Sequence, residues 1–344
     1  MSFLKATIRS ILIKLLGENR LDAIRHFING KKILSLSPFF SYDQERFHKY
    51  SGAANPQGHD TLRAKIIKNY HVLEKGITMP QRRSAFGKDV IKKQIKLIEQ
   101  FKTLFGTDDA QVQHAIAVLK EYWNIHIDYS EKQNEHEFWE SLESFINGFP
   151  DIPASCHRTI TKNEFYRQKE ASFPQFAWAR HTLRYYSSIP LSETQIKAAI
   201  DLARSTPSAC NRQHCRVHCV SDKKQIQALL DLQAGNRGFG HLADKLLDIT
   251  SDLEVNLEER ERNDVYVNGG MFLMNLCYAL YYYEIAHCIL NWSRTPAEDQ
   301  AVREIIRLKP SETVIAVLSC GNTPDEFMVA SSPRKSLEEY YVKE

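Results

Sequence analysis

Four short segments carry the residue types that could do chemistry. Arg180-His-Thr-Leu-Arg184 follows the aromatic run from Phe173 to Trp178 and sets two guanidinium groups and a hydroxyl within five residues. Thr206-Pro-Ser-Ala-Cys-Asn-Arg-Gln213 lies between a helix-like and a strand-like pattern. Gly235-Asn-Arg-Gly-Phe-Gly240 is a glycine-containing loop, and Ser332-Pro-Arg-Lys-Ser-Leu337 lies close to the C-terminus. Arginine forks and hydroxyls suit a phosphate-bearing ligand, because the planar guanidinium makes paired hydrogen bonds to phosphate oxygens. Singly, each segment is weak: two arginines and a threonine within five residues are usually a solvated face.

Three other constellations invite a site and are set aside. Cys210, His214, Cys215, His218 and Cys219 have the composition of a metal cluster. On the strand expected there, however, Cys215, Val217 and Cys219 alternate with Arg216 and His218, which divides the set between two faces. No metal is expected. His71-Val-Leu-Glu74 places an imidazole and a carboxylate on one helix face; with no further ligand pair in view, a surface or packing role is expected. Gly235, Gly238 and Gly240 suggest a nucleotide loop, but a dinucleotide fingerprint needs a strand before it and a helix after it. Here a helix precedes and a strand follows, so no dedicated NAD domain is expected.

The elements that must position these residues change in kind along the chain. Lys88 to Leu104 and Val112 to Trp123 carry apolar residues at helical spacing. Ser51 to Gly58 is turn chemistry, and Asn147 to Pro153 is the best candidate for a domain boundary. Residues 1–150 are therefore expected to be a helical extension and 151–344 a domain of mixed α and β. Within the latter, Ser192-Glu-Thr-Gln195 has the form of a capping box, followed by Ile196, Ala199, Ile200 and Ala203 on one helix face. Arg216 to Val220 and Leu246 to Thr250 are expected as strands, and Thr313 to Ser319 as a strand buried on both faces. Val265 to Tyr283 has no formal charge and is near the length of a membrane span. Asn268, Gly269, Gly270 and Asn275 interrupt it, so it is expected as a helix in a core or between subunits.

The composition is that of an ordinary soluble chain, 43% apolar and 25% charged, long enough for about two domains. Seven cysteines, with no leader recognised, suggest free thiols in the reducing cytoplasm rather than a disulfide framework. The net charge of +3 conceals an asymmetry: residues 1–100 hold 19 Lys and Arg against 8 Asp and Glu, and residues 101–150 hold 3 against 9. No nucleic-acid motif accompanies the basic block, and no nucleic-acid partner is expected. Met1 to Phe27 reads as a basic amphipathic helix, which leaves weak contact with a membrane surface open.

Taken together, the order and spacing of the four segments resemble the nitroreductase family, from about Glu164 to Val342. Its members open with Arg-x-Ser-x-Arg/Lys, matched by Arg180, Thr182 and Arg184 with Thr for Ser. They continue with Pro-Ser-x-x-Asn-x-Gln, matched by Pro207, Ser208, Asn211 and Gln213, with His214 where Pro is common. They close with an arginine before a Leu-Glu-Glu-like stretch, matched by Arg334 and Leu337 to Glu339.

The resemblance implies an α+β fold with a mixed central sheet flanked by helices, and a homodimer sharing the long apolar helix. FMN would lie in clefts at the interface. Arg180, Thr182 and Arg334 would hold its phosphate, and His181 would also belong to the cofactor site. Arg184 would lie nearer the ribityl chain and the N1/O2 edge, where negative charge gathers on reduction. Pro207, Ser208 and Asn211 would line the ring and fix their loop, and Asn236 would face the pyrimidine edge. Backbone N–H groups in an expected loop, Cys288 to Trp292, would meet flavin N5 and O4, with Leu290 and Asn291 the choices. The implied activity is transfer of hydride from NAD(P)H, by way of flavin N5, to an oxidised small-molecule acceptor such as a nitroaromatic or quinone. It would run in two alternating steps and needs no side-chain acid. The alternatives are an FMN-holding module that docks a partner or membrane, and a flavin enzyme of different chemistry. The segment His71 to Gly87 resembles an extension of some members and is expected to fold over the dimer or the flavin pocket.

Overall fold

The computed structural model describes residues 37–126 and 135–344, so the basic amphipathic stretch Met1 to Phe27 lies outside the described residues. The chain divides into two compact units, 1–61 and 62–344. In the first, α1 (Pro38–Tyr50) starts on a proline at its first position, where the missing N–H is no loss. The second takes in most of α2 (His59–Ile77), then α3 (Lys88–Phe105), α4 (Ala110–Ile125) and α5 (His136–Asn147). Asp109 caps α4 by accepting from the Gln111 and Val112 N–H groups, an interaction that contributes about 1 kcal/mol. Leu62, Ile66 and Leu73 of α2, Ile91 and Ile98 of α3, Ile116 and Leu119 of α4 and Trp139 of α5 form one core.

Asn147 to Pro153, expected as a domain boundary, lies between this core and the next, both within the unit 62–344. There follow β1 (Thr159–Thr161), α6 (Lys162–Tyr166), α7 (Phe173–Ala179), α8 (Glu193–Ala203), β2 (Cys215–Val220) and α9 (Lys223–Leu232). After them come β3 (Lys245–Asp252), α10 (Asp264–Tyr282), β4 (Ile285–Asn291), α11 (Pro296–Ile306), β5 (Glu312–Asn322) and β6 (Glu326–Met328). The α8 capping box is only half formed: Ser192 Oγ accepts from the Gln195 N–H, but it also donates to Gln195 Oε1, which would otherwise reach back to the backbone. Complete boxes close at Thr161/Glu164 and Thr295/Glu298.

The α+β architecture has a four-stranded sheet in the order β2-β3-β5-β4, with β1 and β6 paired apart from it. Leu247, Ile249, Leu318 and Cys320 point to the face covered by α8 and α10, while Leu246, Leu290, Val314 and Val317 join the opposite core. This two-sided cover explains why β3 and β5 are buried almost throughout. The sheet was expected to be mixed, yet every ladder among the described residues is antiparallel. The reason is topological. Strands β3 and β4 run parallel and are joined through α10, but β5 inserts between them.

The segment Cys288 to Trp292, expected as a loop, is mostly strand, with Cys288 opposite Ser319 and Leu290 opposite Val317. The turn after α10 is shorter than expected, because Glu284 adopts a positive φ of 57° and reverses the chain at once. Helix α10 has two apolar faces. Val265, Asn268, Gly269, Phe272, Leu276 and Leu280 are buried, and Gly269 is required because a Cβ would lie 2.6 Å from Ile315 Cγ1. Tyr266, Val267, Met271 and Met274 are exposed. No helix among the described residues is long and apolar enough to cross a membrane.

Candidate functional site

The segment after α7 crosses the edge of β4 and turns its side chains two ways. The Leu183 N–H donates to the His287 carbonyl at 3.0 Å, and the Tyr186 hydroxyl reaches Ser319 Oγ at 2.8 Å. Leu183 and Tyr186 are thus drawn into the core, while Arg180, His181, Thr182 and Arg184 line a cavity of about 860 Å³. Tyr186 also packs so closely on β5 that a Cβ at Gly321 would lie 2.5 Å from Tyr186 Cβ. Arg334 and Lys335 enter the same cavity from the C-terminal segment, although they lie some 150 positions away in sequence.

The wall holds Arg180, Arg184, Arg334 and Lys335, and no Asp or Glu among the described residues. Arg180 Nε and Arg184 Nε are buried without a hydrogen-bond partner. A buried donor left unpaired costs roughly 1–3 kcal/mol, more when charged. The donor set therefore fits an anion that carries its own acceptors, and a flavin mononucleotide phosphate is such a group.

The remaining expected site residues are placed differently. Pro207 and Ser208 line a separate cavity of about 220 Å³ with Gln213, Asn268 and Phe272. Ser208 does fix its loop: its Oγ accepts from the Gln213 N–H at 2.9 Å, and Cys210, Asn211 and Gln213 all hold positive φ. Asn236 is taken up inside its own loop, where Nδ2 donates to the Leu230 carbonyl at 2.7 Å and to the Gln233 carbonyl. It does not line the large cavity.

Leu290 and Asn291 lie on opposite sides of β4. The outward carbonyls of His287 and Asn291, which accept from the Leu183 N–H and Gln233 Nε2, place alternate residues on the free edge. The Leu290 peptide groups consequently belong to the ladder with Val317, and its side chain is in the core. Asn291 presents its backbone at the edge.

The N-terminal helices contribute more than the segment His71 to Gly87 that was expected to fold over the dimer or the pocket. Ile67, Tyr70 and His71 of α2 and Gln111 of α4 line the large cavity. His71–Glu74, expected as a surface or packing pair, joins a partly exposed imidazole to a buried carboxylate. Glu74 is fully buried and collects hydrogen bonds from His114 Nε2 at 2.9 Å, Ser331 Oγ at 3.0 Å, the Ser332 N–H at 3.2 Å and Ser332 Oγ at 3.2 Å. His71 Nδ1 and His157 Nε2 stand 3.7 and 3.8 Å away.

Burial alone would raise the Glu74 carboxyl, but the hydrogen bond from His114 and the nearby rings of His157 and His71 overcome it and hold the group well below the usual carboxylate range. Burial likewise opposes a charged His157. Contacts with Glu121, whose Oε2 is 2.6 Å from Nδ1, and with Glu74 nevertheless raise it to about 9. A signal for Glu74 was present in the sequence. It lies four residues after Tyr70 and three before Ile77, on the buried stripe of α2.

His71 Nε2 in turn stands 3.2 Å from Arg184 Nη2. Farther along the segment expected to fold over the dimer or pocket, Lys75 Nζ donates to the Gly235 carbonyl at 2.9 Å, tying α2 to the glycine loop. Among the described residues no group of three or more His, Cys, Asp or Glu side chains could hold a metal ion.

Comparison with known proteins locates a domain. Residues 177–322 match the model of the nitroreductase family. No curated protein matches the chain. Solved structures similar to it include a protein from Desulfovibrio desulfuricans assigned as a nitroreductase and solved in complex with FMN, at 18% identity. That match covers 51% of this chain and 98% of that one, with a TM-score of 0.44. The FMN-dependent nitroreductase of Clostridium difficile R20291 is 18% identical over 43% of this chain and 86% of its own, with a TM-score of 0.38. A Parabacteroides distasonis protein assigned as an NADH dehydrogenase/NAD(P)H nitroreductase is 16% identical over 48% and 92%, with a TM-score of 0.41.

Proposed function

Because residues 177–322 are a nitroreductase-family domain, we propose that this protein is an FMN-dependent NAD(P)H oxidoreductase that works as a homodimer. The observation that carries the reading is the large cavity, with Arg334 from the far end of the chain and, among the described residues, no partner for Arg180 and Arg184 Nε and no carboxylate in the wall. Arg180, Thr182 and Arg334 hold the phosphate and His181 lies beside them. Arg184 faces the N1/O2 edge, where a cation favours the reduced flavin. When bound, FMN supplies hydride transfer from NAD(P)H to an oxidised acceptor such as a nitroaromatic or quinone. The protein binds, orients and shields, and no side chain is required as an acid. Seven free thiols suit a reducing compartment such as the cytoplasm.

The divided site supports the dimer. Within one chain the Pro207–Asn211 loop opens on a different cavity from the arginines. Tyr266, Val267, Met271 and Met274 leave an apolar face of α10 exposed, and such a face favours burial against another surface. Packing α10 on its copy covers that face and lets the loop of one protomer complete the arginine cavity of the other.

The test is kinetic and hydrodynamic. If donor and acceptor use one position in turn, double-reciprocal plots of NAD(P)H oxidation at several acceptor concentrations are parallel, and the protein sediments as a dimer. Intersecting lines would contradict alternating occupancy, and an active monomer would contradict the shared site.

A further inference from the structure

Glu74, fully buried, stands behind the cavity wall and reaches Arg184 and the Arg334 turn each at one remove. One branch runs through His71. Arginine can only donate, so His71 Nε2 must accept from Arg184 Nη2 at 3.2 Å, which leaves the ring N–H on Nδ1 facing Glu74 Oε2 at 3.7 Å. Arg184 Nε is buried with no hydrogen-bond partner among the described residues.

The other branch runs through the turn that carries Arg334. Glu74 Oε1 accepts from Ser331 Oγ and the Ser332 N–H, and Oε2 accepts from Ser332 Oγ, at 3.0–3.2 Å. Ser332 holds a positive φ of 40°, and its carbonyl accepts from Arg334 Nη1 at 2.9 Å. Four hydrogen-bond donors, His114 of α4 and three from the Ser331–Ser332 turn, thus converge on one side chain. Removing one partner of such a buried charge leaves the others uncompensated.

We propose that Glu74 is a positioning residue of the cofactor site, orienting Arg184 through His71 and the Arg334 turn through Ser331 and Ser332; the proposal rests on the FMN reading of the cavity. The N-terminal helices are then part of the flavin site, and a chain beginning near Ile160 lacks the anchor for both arginines. The two branches make separable contributions. Arg184 acts at the redox edge of the flavin, and Arg334 acts at its phosphate.

The experiment compares the full-length wild-type protein with Glu74→Gln, His71→Leu and Ser332→Gly, glycine being chosen because it keeps the positive φ while deleting the hydroxyl. Each is titrated with FMN and with riboflavin, and the midpoint potential of the bound flavin is measured. Glu74→Gln is expected to raise the Kd for FMN about tenfold or more, to raise that for riboflavin less, and to lower the midpoint potential. His71→Leu should lower the potential while keeping the preference for FMN over riboflavin. Ser332→Gly should erode that preference while leaving the potential unchanged.

A folded Glu74→Gln protein with unchanged affinity and potential would overturn the proposal, as would an equal loss for both flavins at constant potential, the mark of a purely structural role. If Glu74→Gln does not fold, the two single-branch variants decide: wild-type preference and potential in both would overturn it. Wild-type protein that binds neither flavin would instead contradict the functional reading, and the proposal with it.

Discussion

Arg180→Ala and Arg334→Ala are each expected to raise the Kd for FMN by about 10- to 150-fold, while riboflavin affinity changes much less. The range follows from the contribution of a hydrogen bond to a charged group, roughly 1.5–3 kcal/mol, and from the tenfold change in affinity per about 1.4 kcal/mol. The two arginines line one cavity although about 150 residues separate them. They differ in how firmly they are held: Arg180 caps α7 and keeps a buried, unpartnered Nε, whereas Arg334 is tied by one Nη1 to the Ser332 carbonyl. If both reach the same phosphate, the double variant should show coupling rather than simple addition. Isothermal titration with the two flavins checks this. Parallel losses for FMN and riboflavin, or no loss, would mean that the arginines are structural or surface cations.

The buried ionic cluster predicts how stability depends on pH. His157 is raised from 6.5 to about 9 by Glu121 and Glu74. A group whose pKa is raised on folding stabilises fully below its unfolded value and loses that contribution as pH rises through its folded value. The window of loss is therefore from about 6.5 to about 9, and its size is on the order of 3 kcal/mol. Glu74 and Glu121 are both lowered. Their contribution is complete above the ordinary carboxylate range and disappears on acidification. The cluster is thus most stabilising between about pH 4.5 and 6.5. Urea unfolding of wild type and His157→Gln across pH 6 to 9 isolates the histidine, since other titrating groups are common to both. The stability gap between the two should narrow as pH rises, and a constant gap would contradict the assignment.

Much of this was legible in the sequence because the information was local. The Arg180–Arg184 spacing, the Ser208 loop and the apolar run after Asn263 each identify themselves within about ten residues. The half-formed cap at Ser192 shows that a motif gives the N-terminus of a helix without dictating which donor each side chain chooses. β4 was misjudged because the family resemblance implied a loop after the long helix, although Ile285, Ile289 and Trp292 are strand-forming residues. What makes it a strand is β5, which contributes only when it inserts from later in the chain. Glu74 was missed for the same reason. Its position on the apolar stripe of α2 was visible, but its partners lie between 40 and 258 residues away, and nothing in the spacing of His71 and Glu74 announces them. The division of Pro207 and Ser208 from the arginines is likewise a tertiary fact that only the folded chain displays.

The central claim is that the cavity bounded by Arg180, Arg184 and Arg334 holds FMN, and the visible spectrum of the full-length protein tests it most directly. The protein should be yellow, or become so on addition of FMN. Acid precipitation should release a flavin that chromatographs as the mononucleotide, one per chain, and Arg180→Ala should lose it on gel filtration. A folded protein that remains colourless and retains no added FMN would contradict the account.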